Sequence, residues 1–280
     1  MRATAEPEVV TTATLREWPL PEPAGDKESR GRVLVAGGSL TTPGAVLLAG
    51  EAALRVGAGK LRLATAAACA PHLAVSVPEA AVHPLPVDGD GVLAGSAAEA
   101  LRALADDVDT LLVGPGLKSP DAVVALLEGV LPGLRTAVVL DALAAAYVTE
   151  HPDGLPPGSV LTVNPGELEH TGLGTPRDAA ARTGAVVLCG GTEKHVAAPD
   201  GRTWVVSNGS PGLAASGSGD VQAGIVAGLL TRGAEPAQAA VWGALLHALA
   251  GERLAGSVGR TGFLARELPP VLPQLLQELA

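Results

Sequence analysis

Short apolar runs alternate with amphipathic segments along most of the chain. Apolar runs without internal alternation are typical of strands buried on both faces, and they predict strands at 32–36, 60–65, 110–113, 137–141, 160–163 and 185–189. Apolar residues at helical spacing predict helices at 45–56, 96–105, 120–130, 142–149, 177–183, 219–231, 236–254 and 267–279. Strands of this kind, separated by helices, indicate an α/β fold with a mostly parallel central sheet covered on both faces.

Three segments do not follow this alternation. Residues 1–30 are polar and proline-containing and predict an extended N-terminal lead-in, which leaves 31–280 as a single domain. Residues 84–91 predict a surface loop. Residues 196–206 predict a β-hairpin in which Asp200-Gly201 is a two-residue turn.

Polar or glycine-rich segments follow five of the predicted strands. Parallel strands end at the same edge of a sheet, and ligands of α/β proteins bind beyond that edge. We therefore expect the site where these segments meet: Gly37-Gly38-Ser39, Gly114-Pro115-Gly116, Asp141-Ala142, Asn164-Pro165-Gly166-Glu167 and Gly190-Gly191-Thr192.

Composition and charge exclude several classes of function. A net charge of −10, with one Phe and one Tyr, argues against nucleic acid as a partner. Cys69 and Cys189 give neither a disulfide framework nor a metal-ligand spacing, and the histidines show no metal spacing, so we assign no side chain to a metal. The N-terminus lacks the apolar core of an export signal, and 221–230 is too short to span a bilayer, so we expect a cytoplasmic protein without membrane contact.

The segment Gly217-Ser-Gly-Asp220 precedes an apolar helix and carries the strongest chemical signal. Small residues let the backbone approach a ligand closely, and a helix N-terminus presents free N–H groups to a phosphate. Asp220 either complements the helix dipole or acts as a general base on a hydroxyl. A buried carboxylate facing a phosphate site favours the general base.

Together with other segments, this motif resembles the ribokinase-like superfamily and, within it, the NAD(P)H-hydrate dehydratase family. The resemblance runs in order from about residue 30 to the C-terminus. Its segments are Val33-Leu-Val-Ala-Gly-Gly-Ser39, Pro43-Gly-Ala45, Ala52-Ala-Leu-Arg-Val-Gly-Ala-Gly-Lys60, Gly114-Pro-Gly-Leu117, Leu140-Asp-Ala142, Pro165-Gly-Glu167 and Leu246-His-Ala-Leu-Ala-Gly251.

The resemblance implies a three-layer αβα sandwich and a metabolite-repair reaction. Enzymes of this family phosphorylate the hydroxyl of the S epimer of hydrated NADH or NADPH, using ADP or ATP with Mg²⁺. Loss of phosphate then restores the dihydronicotinamide. The resemblance also implies an NAD(P)H-hydrate epimerase as a functional partner, and we expect a homo-oligomer.

Carried over by position, the resemblance assigns three groups of site residues. Asp220 would be the catalytic base. Ala45, Gly116 and Asn164 would bind the hydrate together with Asp220. The nucleotide would be bound by Cys189, Gly190, Gly191, Thr192, Glu193, Gly217 and Gly219.

The chain departs from the family at two of these positions. Asn164 stands where the family usually has His, and Cys189 stands where it usually has Lys. A thiol does not replace the fixed charge of a lysine, so Cys189 predicts weakened nucleotide affinity or an altered choice of donor. Lys194, five residues on, is an alternative source of the cation.

Three other residues keep two interpretations. Glu167 is either a helix-capping acid or a ligand contact, and Asp141 either contacts ligand or caps the next helix. His247 lies in an apolar helix, where packing is the simpler interpretation. Two other functions also stay open, namely a small-molecule alcohol kinase of the same superfamily and a catalytically weak nucleotide-binding homologue.

Overall fold

The computed structural model describes residues 6–22 and 25–279. Its strands form one sheet in the order β1-β10-β9-β8-β7-β6-β5-β2-β3-β4. The strands are β1 (Glu8–Val9), β2 (Arg32–Ala36), β3 (Lys60–Ala66), β4 (Ala80–Leu85), β5 (Thr110–Val113), β6 (Ala137–Asp141), β7 (Val160–Val163), β8 (Val186–Cys189), β9 (Lys194–Ala197) and β10 (Thr203–Val206).

Eleven α-helices are assigned within the described residues. They are α1 (Thr12–Glu17), α2 (Gly44–Arg55), α3 (Ala70–Ser76), α4 (Ala98–Ala105), α5 (Pro120–Val130), α6 (Tyr147–Glu150), α7 (Pro165–His170), α8 (Pro176–Thr183), α9 (Ser218–Thr231), α10 (Pro236–Ser257) and α11 (Leu272–Leu279). Short 3₁₀ turns at 95–97, 142–146, 211–213, 265–267 and 269–271 complete the elements.

The central strands are mostly apolar because both faces of the sheet are covered. Alternate residues of each strand contribute to two separate cores. One core packs against α2, α9, α10 and α11, and the other against α4, α5, α7 and α8. All strand pairs are parallel except those made by β9, which runs antiparallel to both β8 and β10. The predicted three-layer αβα sandwich with a mostly parallel sheet is confirmed.

Helices α2 and α9 pack at backbone distance. A Cβ atom added to Gly224 would lie 2.1 Å from the carbonyl oxygen of Ala49, and one added to Gly228 would lie 2.5 Å from that of Ala53. Since α9 also packs on β5 and β6, its position relative to the sheet is fixed along its length.

The N-terminal region contains structure that its sequence did not predict. Strand β1 pairs in parallel with β10, and Val10 donates a further hydrogen bond to the carbonyl of Val205. Helix α1 follows, with a capping box between Thr11 and Thr14 and with Leu15 fully buried. The expected extended conformation is therefore wrong for residues 12–17, which form a helix, whereas residues 8–9 are extended as part of a strand. Residues 1–5 and 23–24 of the predicted lead-in lie outside the described residues.

The hairpin formed by β9 and β10 has a longer turn than predicted. Gly201 donates to the carbonyl of Ala198, and Ala198 donates to the carbonyl of Arg202, so three residues connect the strands. Pro199 suits the first central position of a type I turn, and Gly201, at φ +94°, takes the left-handed conformation that closes such a loop. The prediction of a two-residue turn is wrong.

The direction of the chain through the sheet reverses between β2 and β5. These two strands are neighbours, and successive strands run outward from them in opposite directions. Their carboxyl ends are the kind of switch point beside which α/β proteins bind ligands. Within residues 6–22 and 25–279, none of the helices combines the length and the apolar character needed to cross a bilayer.

Candidate active site

A cavity of about 850 Å³ opens at the carboxyl ends of β6, β7 and β8, against the N-terminus of α9. Three of the five segments predicted to meet at this edge contribute to its lining, namely those after β6, β7 and β8. The loop from Ser207 to Ala214 covers another side. The segments that follow β6, β7 and β8 therefore meet at the cavity, as predicted.

The N-terminus of α9 presents unpaired backbone donors to this cavity. Gly217, the N-cap residue, has φ +87°, and an added Cβ would lie 2.6 Å from Leu48 Cδ1, so a glycine is required there. Ser218 donates its N–H to the carbonyl of Ala215. The N–H groups of Gly219 and Asp220 have no acceptor among the residues that the structure describes. Two donors at the positive end of a 14-residue helix can bind an anion.

Asp220 lies in the first turn of α9 and lines the cavity. Burial raises the pKa of its carboxyl from 3.8 to about 6, and the negative charge of Glu167 acts in the same direction. A carboxylate with this pKa is ionised at neutral pH and retains enough basicity to accept a proton from a hydroxyl.

Asp141 ends β6 and is only 6% exposed. The hydroxyl of Thr162 donates to Asp141 Oδ1 at 2.8 Å. Burial raises the pKa of Asp141 well above 3.8, and the charges of Asp220 and Glu167 add to the shift. The backbone here is tightly constrained. Ala142, next in the chain, has φ +51°, and an added Cβ at Gly114 would lie 2.0 Å from the carbonyl oxygen of Asp141.

Asn164 and Glu167 form a capping box at the start of α7. Asn164 Oδ1 accepts from the N–H of Glu167 at 2.9 Å, and Glu167 Oε2 accepts from the N–H of Asn164 at 2.8 Å. Both residues also line the cavity. Glu167 caps the helix with one carboxylate oxygen and also borders the cavity. Its two interpretations, a capping acid and a ligand contact, are therefore compatible.

The predicted nucleotide residues after β8 separate into two sets. Gly190, Gly191 and Thr192 line the cavity, as do Gly217 and Gly219. Cys189 and Glu193 are not among the lining residues. The Cys189 thiol is buried, burial raises its pKa, and Glu193 accepts a hydrogen bond from Ser207 at 2.9 Å.

Ala45 and Gly116, predicted to bind the hydrate, also lie outside the lining of this cavity. They contact each other at the switch point, where an added Cβ at Gly116 would lie 2.8 Å from Ala45 Cβ. Thr42 Oγ1 donates to the carbonyl of Gly116 at 2.8 Å, which ties the segments after β2 and β5 together. Gly114, two residues before Gly116, touches Asp141, so this corner continues the edge of the cavity.

Sequence reasoning missed the polar residues behind the N-terminus of α9. His247 of α10, which is 3% exposed, lines the cavity and approaches Ser218 Oγ at 2.9 Å and the Ser218 carbonyl at 3.0 Å. Because the carbonyl only accepts, His247 Nε2 carries the proton. Its Nδ1 has no partner among the described residues. Burial lowers the pKa of His247 well below 6.5, and the charge of Lys194 adds to this effect. The apolar neighbours of His247 in α10 favoured packing as its role, so its contact with the Gly-Ser-Gly segment was not predicted.

The carboxylates of the cavity do not form a compact cage for a metal. Within the described residues, three ligand atoms lie within 4.8 Å of one another only at Glu128, Glu150 and His151, none of which lines the cavity. Glu167 is nevertheless near enough to raise the pKa values of Asp141 and Asp220, and Asp220 is near enough to raise that of Asp141. This spacing fits a Mg²⁺ ion held largely by water and ligand phosphates.

A family model described as NAD(P)H-hydrate dehydratase matches residues 33–274. A protein of Xanthomonas campestris pv. campestris named ADP-dependent (S)-NAD(P)H-hydrate dehydratase is 45% identical over 281 residues, which cover 96% of each chain. A bifunctional NAD(P)H-hydrate repair enzyme of Moorella thermoacetica is 36% identical over 97% of this chain, but the match spans only 54% of that protein. The chain thus spans nearly all of the first relative and about half of the second.

Solved structures give the same assignment of fold. The Bacillus subtilis ADP/ATP-dependent NAD(P)H-hydrate dehydratase, co-crystallised with ATP and Mg²⁺, has a TM-score of 0.81 and 28% identity over 98% of this chain and 99% of that one. A ribokinase of Thermotoga maritima has a TM-score of 0.57 and 15% identity over 87% of this chain and 99% of that one, and this likeness concerns the fold alone.

Proposed function

The chain belongs to the NAD(P)H-hydrate dehydratase family, and from this premise we propose how its cavity carries out the repair of hydrated NADH and NADPH. The enzyme transfers a phosphoryl group from ADP, or from ATP, to the hydroxyl of the S epimer of the hydrate. Elimination of phosphate from the nicotinamide ring then regenerates NADH or NADPH. With ADP as donor, the other products are AMP and inorganic phosphate.

Asp220 carries the proposal, because it is a partly buried carboxylate in the same helical turn as two free N–H donors. Its carboxylate accepts the proton of the hydrate hydroxyl as the oxygen attacks the terminal phosphorus. The bond from that phosphorus to the bridging oxygen of the donor breaks in the same step. The Gly219 and Asp220 N–H groups stabilise the charge on the transferring group, and such positioned donors supply much of the catalysis in phosphoryl transfer.

The substrates occupy different parts of the edge. The nucleotide lies along Gly190, Gly191 and Thr192 with its phosphates directed at Gly217 and Gly219. The hydrate reaches Asp220 from the side of Asn164, Ala45 and Gly116. The contact between Gly114 and Asp141 supports this arrangement, because it makes the corner around Gly116 continuous with the cavity.

Mg²⁺ is expected to enter with the nucleotide, and Asp141 and Glu167 are the carboxylates that would hold it through water. When bound, the ion offsets negative charge on the phosphates. The long bifunctional relatives support functional pairing with an epimerase, which converts the other epimer into substrate. We place the reaction in the cytoplasm, and a homo-oligomer remains our expectation.

The decisive experiment mixes the protein with the hydrated NADH epimers, Mg²⁺ and either ADP or ATP. Recovery of the reduced-nicotinamide absorbance, with one inorganic phosphate released per NADH formed, is the expected result. A phosphorylated hydrate that accumulates without recovery would identify an alcohol kinase instead. Nucleotide binding without any turnover of either epimer would leave a binding homologue and overturn the proposal.

A further inference from the structure

Lys194 is the first residue of β9, is only 5% exposed, and lines the active-site cavity. The pairing of β9 with β8 defines the direction of its side chain. His195 lies opposite Cys189, and Val196 lies opposite Leu188 in the core beneath α9 and α10. Since side chains alternate along a strand, Lys194 shares the face of Val196. Its side chain therefore points to the side of α9, and that of Cys189 points to the opposite side.

The ammonium group of Lys194 has no anionic partner in the described part of the chain. No carboxylate lies within 4.0 Å of it, and it makes no side-chain hydrogen bond with residues 6–22 or 25–279. Burial lowers the pKa of Lys194 to about 8, so the group is still mostly charged at neutral pH. Burying most of an unpaired charge is unfavourable, and a bound anion would supply the missing partner.

The surroundings of Lys194 can accept a negative ligand. His247 is uncharged because its pKa is lowered, and its Nε2–H donates to Ser218, so the hydroxyl proton of Ser218 stays available. The charge of Lys194 acts on His247, which contacts Ser218 in the first turn of α9. Lys194, Ser218, Gly219 and Asp220 all line the cavity, so a cation and a free hydroxyl face the same space as the free N–H groups.

Other titratable groups lie around β9, and His195 of the strand itself faces the side of Cys189, away from Lys194. Helix α10 adds Glu252, which accepts from Asn208 and Gly209, and the preceding loop adds Glu193, which accepts from Ser207. Asp220 and Glu167 line the cavity from α9 and α7. Those on the opposite face of β9 are Cys189 of β8 and Arg177, Asp178 and Arg182 of α8.

We propose that Lys194 binds the phosphate chain of the adenine nucleotide from the sheet side, opposite the N–H donors of Gly219 and Asp220. The assignment rests on the proposed function, which brings a nucleoside diphosphate or triphosphate to this cavity. It gives the chain a phosphate-binding cation at a position other than 189.

Lys194→Met removes the ammonium group and keeps an aliphatic side chain of similar length. Calorimetric titration with ADP, AMP and adenosine separates a phosphate contact from a structural effect. We expect ADP to bind about 10- to 100-fold more weakly to the variant, as loss of a charged hydrogen bond requires, and adenosine to bind as it does to the parent. Lys27→Met, at an exposed lysine outside the cavity, should leave all three affinities unchanged.

The pH dependence of ADP affinity provides a second readout. Above about pH 8 the parent protein should lose ADP affinity by up to tenfold per pH unit as Lys194 loses its proton, and Lys194→Met should show no such decline. Equal weakening of ADP and adenosine, or unchanged ADP affinity in Lys194→Met, overturns the role of Lys194. If Lys194→Met still dehydrates the hydrate in such a case, the proposed function stands. If the parent protein binds neither ADP nor ATP, both the role of Lys194 and the proposed function are wrong.

Discussion

Replacement of Asp220 by Asn should change activity and stability in opposite directions. The amide keeps the size of the side chain but cannot accept the hydroxyl proton, and loss of a general base typically costs about 10²- to 10⁴-fold in rate. The stability effect follows from the pKa of Asp220, which is about 6 in the folded protein against an ordinary 3.8. A folded state that holds the proton more tightly is destabilised by ionisation. The penalty is absent below about pH 4, grows between pH 4 and 6, and is complete above pH 6.

The size of that penalty is at most about 3 kcal/mol, because one pKa unit corresponds to about 1.4 kcal/mol. Asp220→Asn removes it, so the variant should unfold at a higher temperature than the parent at pH 7.5 and at about the same temperature at pH 4. Steady-state recovery of NADH and thermal unfolding at the two pH values measure both effects. Asp121→Asn is a matched control, since Asp121 lies in the first turn of α5, outside the cavity, and is exposed. Near-normal turnover of Asp220→Asn would remove this residue from the mechanism, and lower stability at pH 7.5 would contradict the electrostatic reasoning.

Three further predictions concern the same edge of the sheet. The value of kcat/KM for the hydrate should rise up to tenfold per pH unit below about pH 6 and level off above it, as Asp220 becomes ionised; a flat profile from pH 5 to 7 would exclude a base of this pKa. Gly217→Ala should lower the free energy of unfolding in denaturant by about 1–3 kcal/mol, because position 217 combines φ +87° with a clash at Leu48. A Cβ atom at Gly219 meets nothing within 4 Å, so Gly219→Ala should unfold like the parent and lose only nucleotide affinity. In Cys189→Lys, Michaelis constants for ADP and ATP should be unchanged because Lys194 supplies the cation; a several-fold decrease would show that charge is missing at position 189.

The sequence predicts the central elements well because their signal is local. Strands β5, β6 and β7 are mostly apolar runs that end next to glycine or polar residues, and their observed limits match the expected ones. Strand β1 and helix α1 escape prediction because they have two and six residues. Their stability comes from tertiary contacts, namely pairing with β10 and burial of Leu15.

Site residues could be predicted from the sequence only where they lie together in one short segment. Asp220 and its glycines lie within four consecutive residues, and so do Asn164 and Glu167. The meeting of Lys194 with His247 depends instead on the antiparallel course of β9 and on the packing of α10 against it. Lys194 lies in none of the segments that carry the resemblance, and the segment that contains His247, residues 246–251, does not indicate the contact of His247 with Ser218.

The glycine contacts between α2 and α9 have a mechanical consequence. Because α2 and α9 touch through backbone atoms, neither helix can slide or tilt against the other without atomic overlap. Helix α9 therefore holds Asp220 in a fixed position. We therefore expect any closing motion around the substrates to come from elements other than α9, while Asp220 stays in place. A bulky residue at Gly224 or Gly228 would displace α9 and so misalign Asp220, which lies more than one helical turn away. Neither glycine lines the cavity.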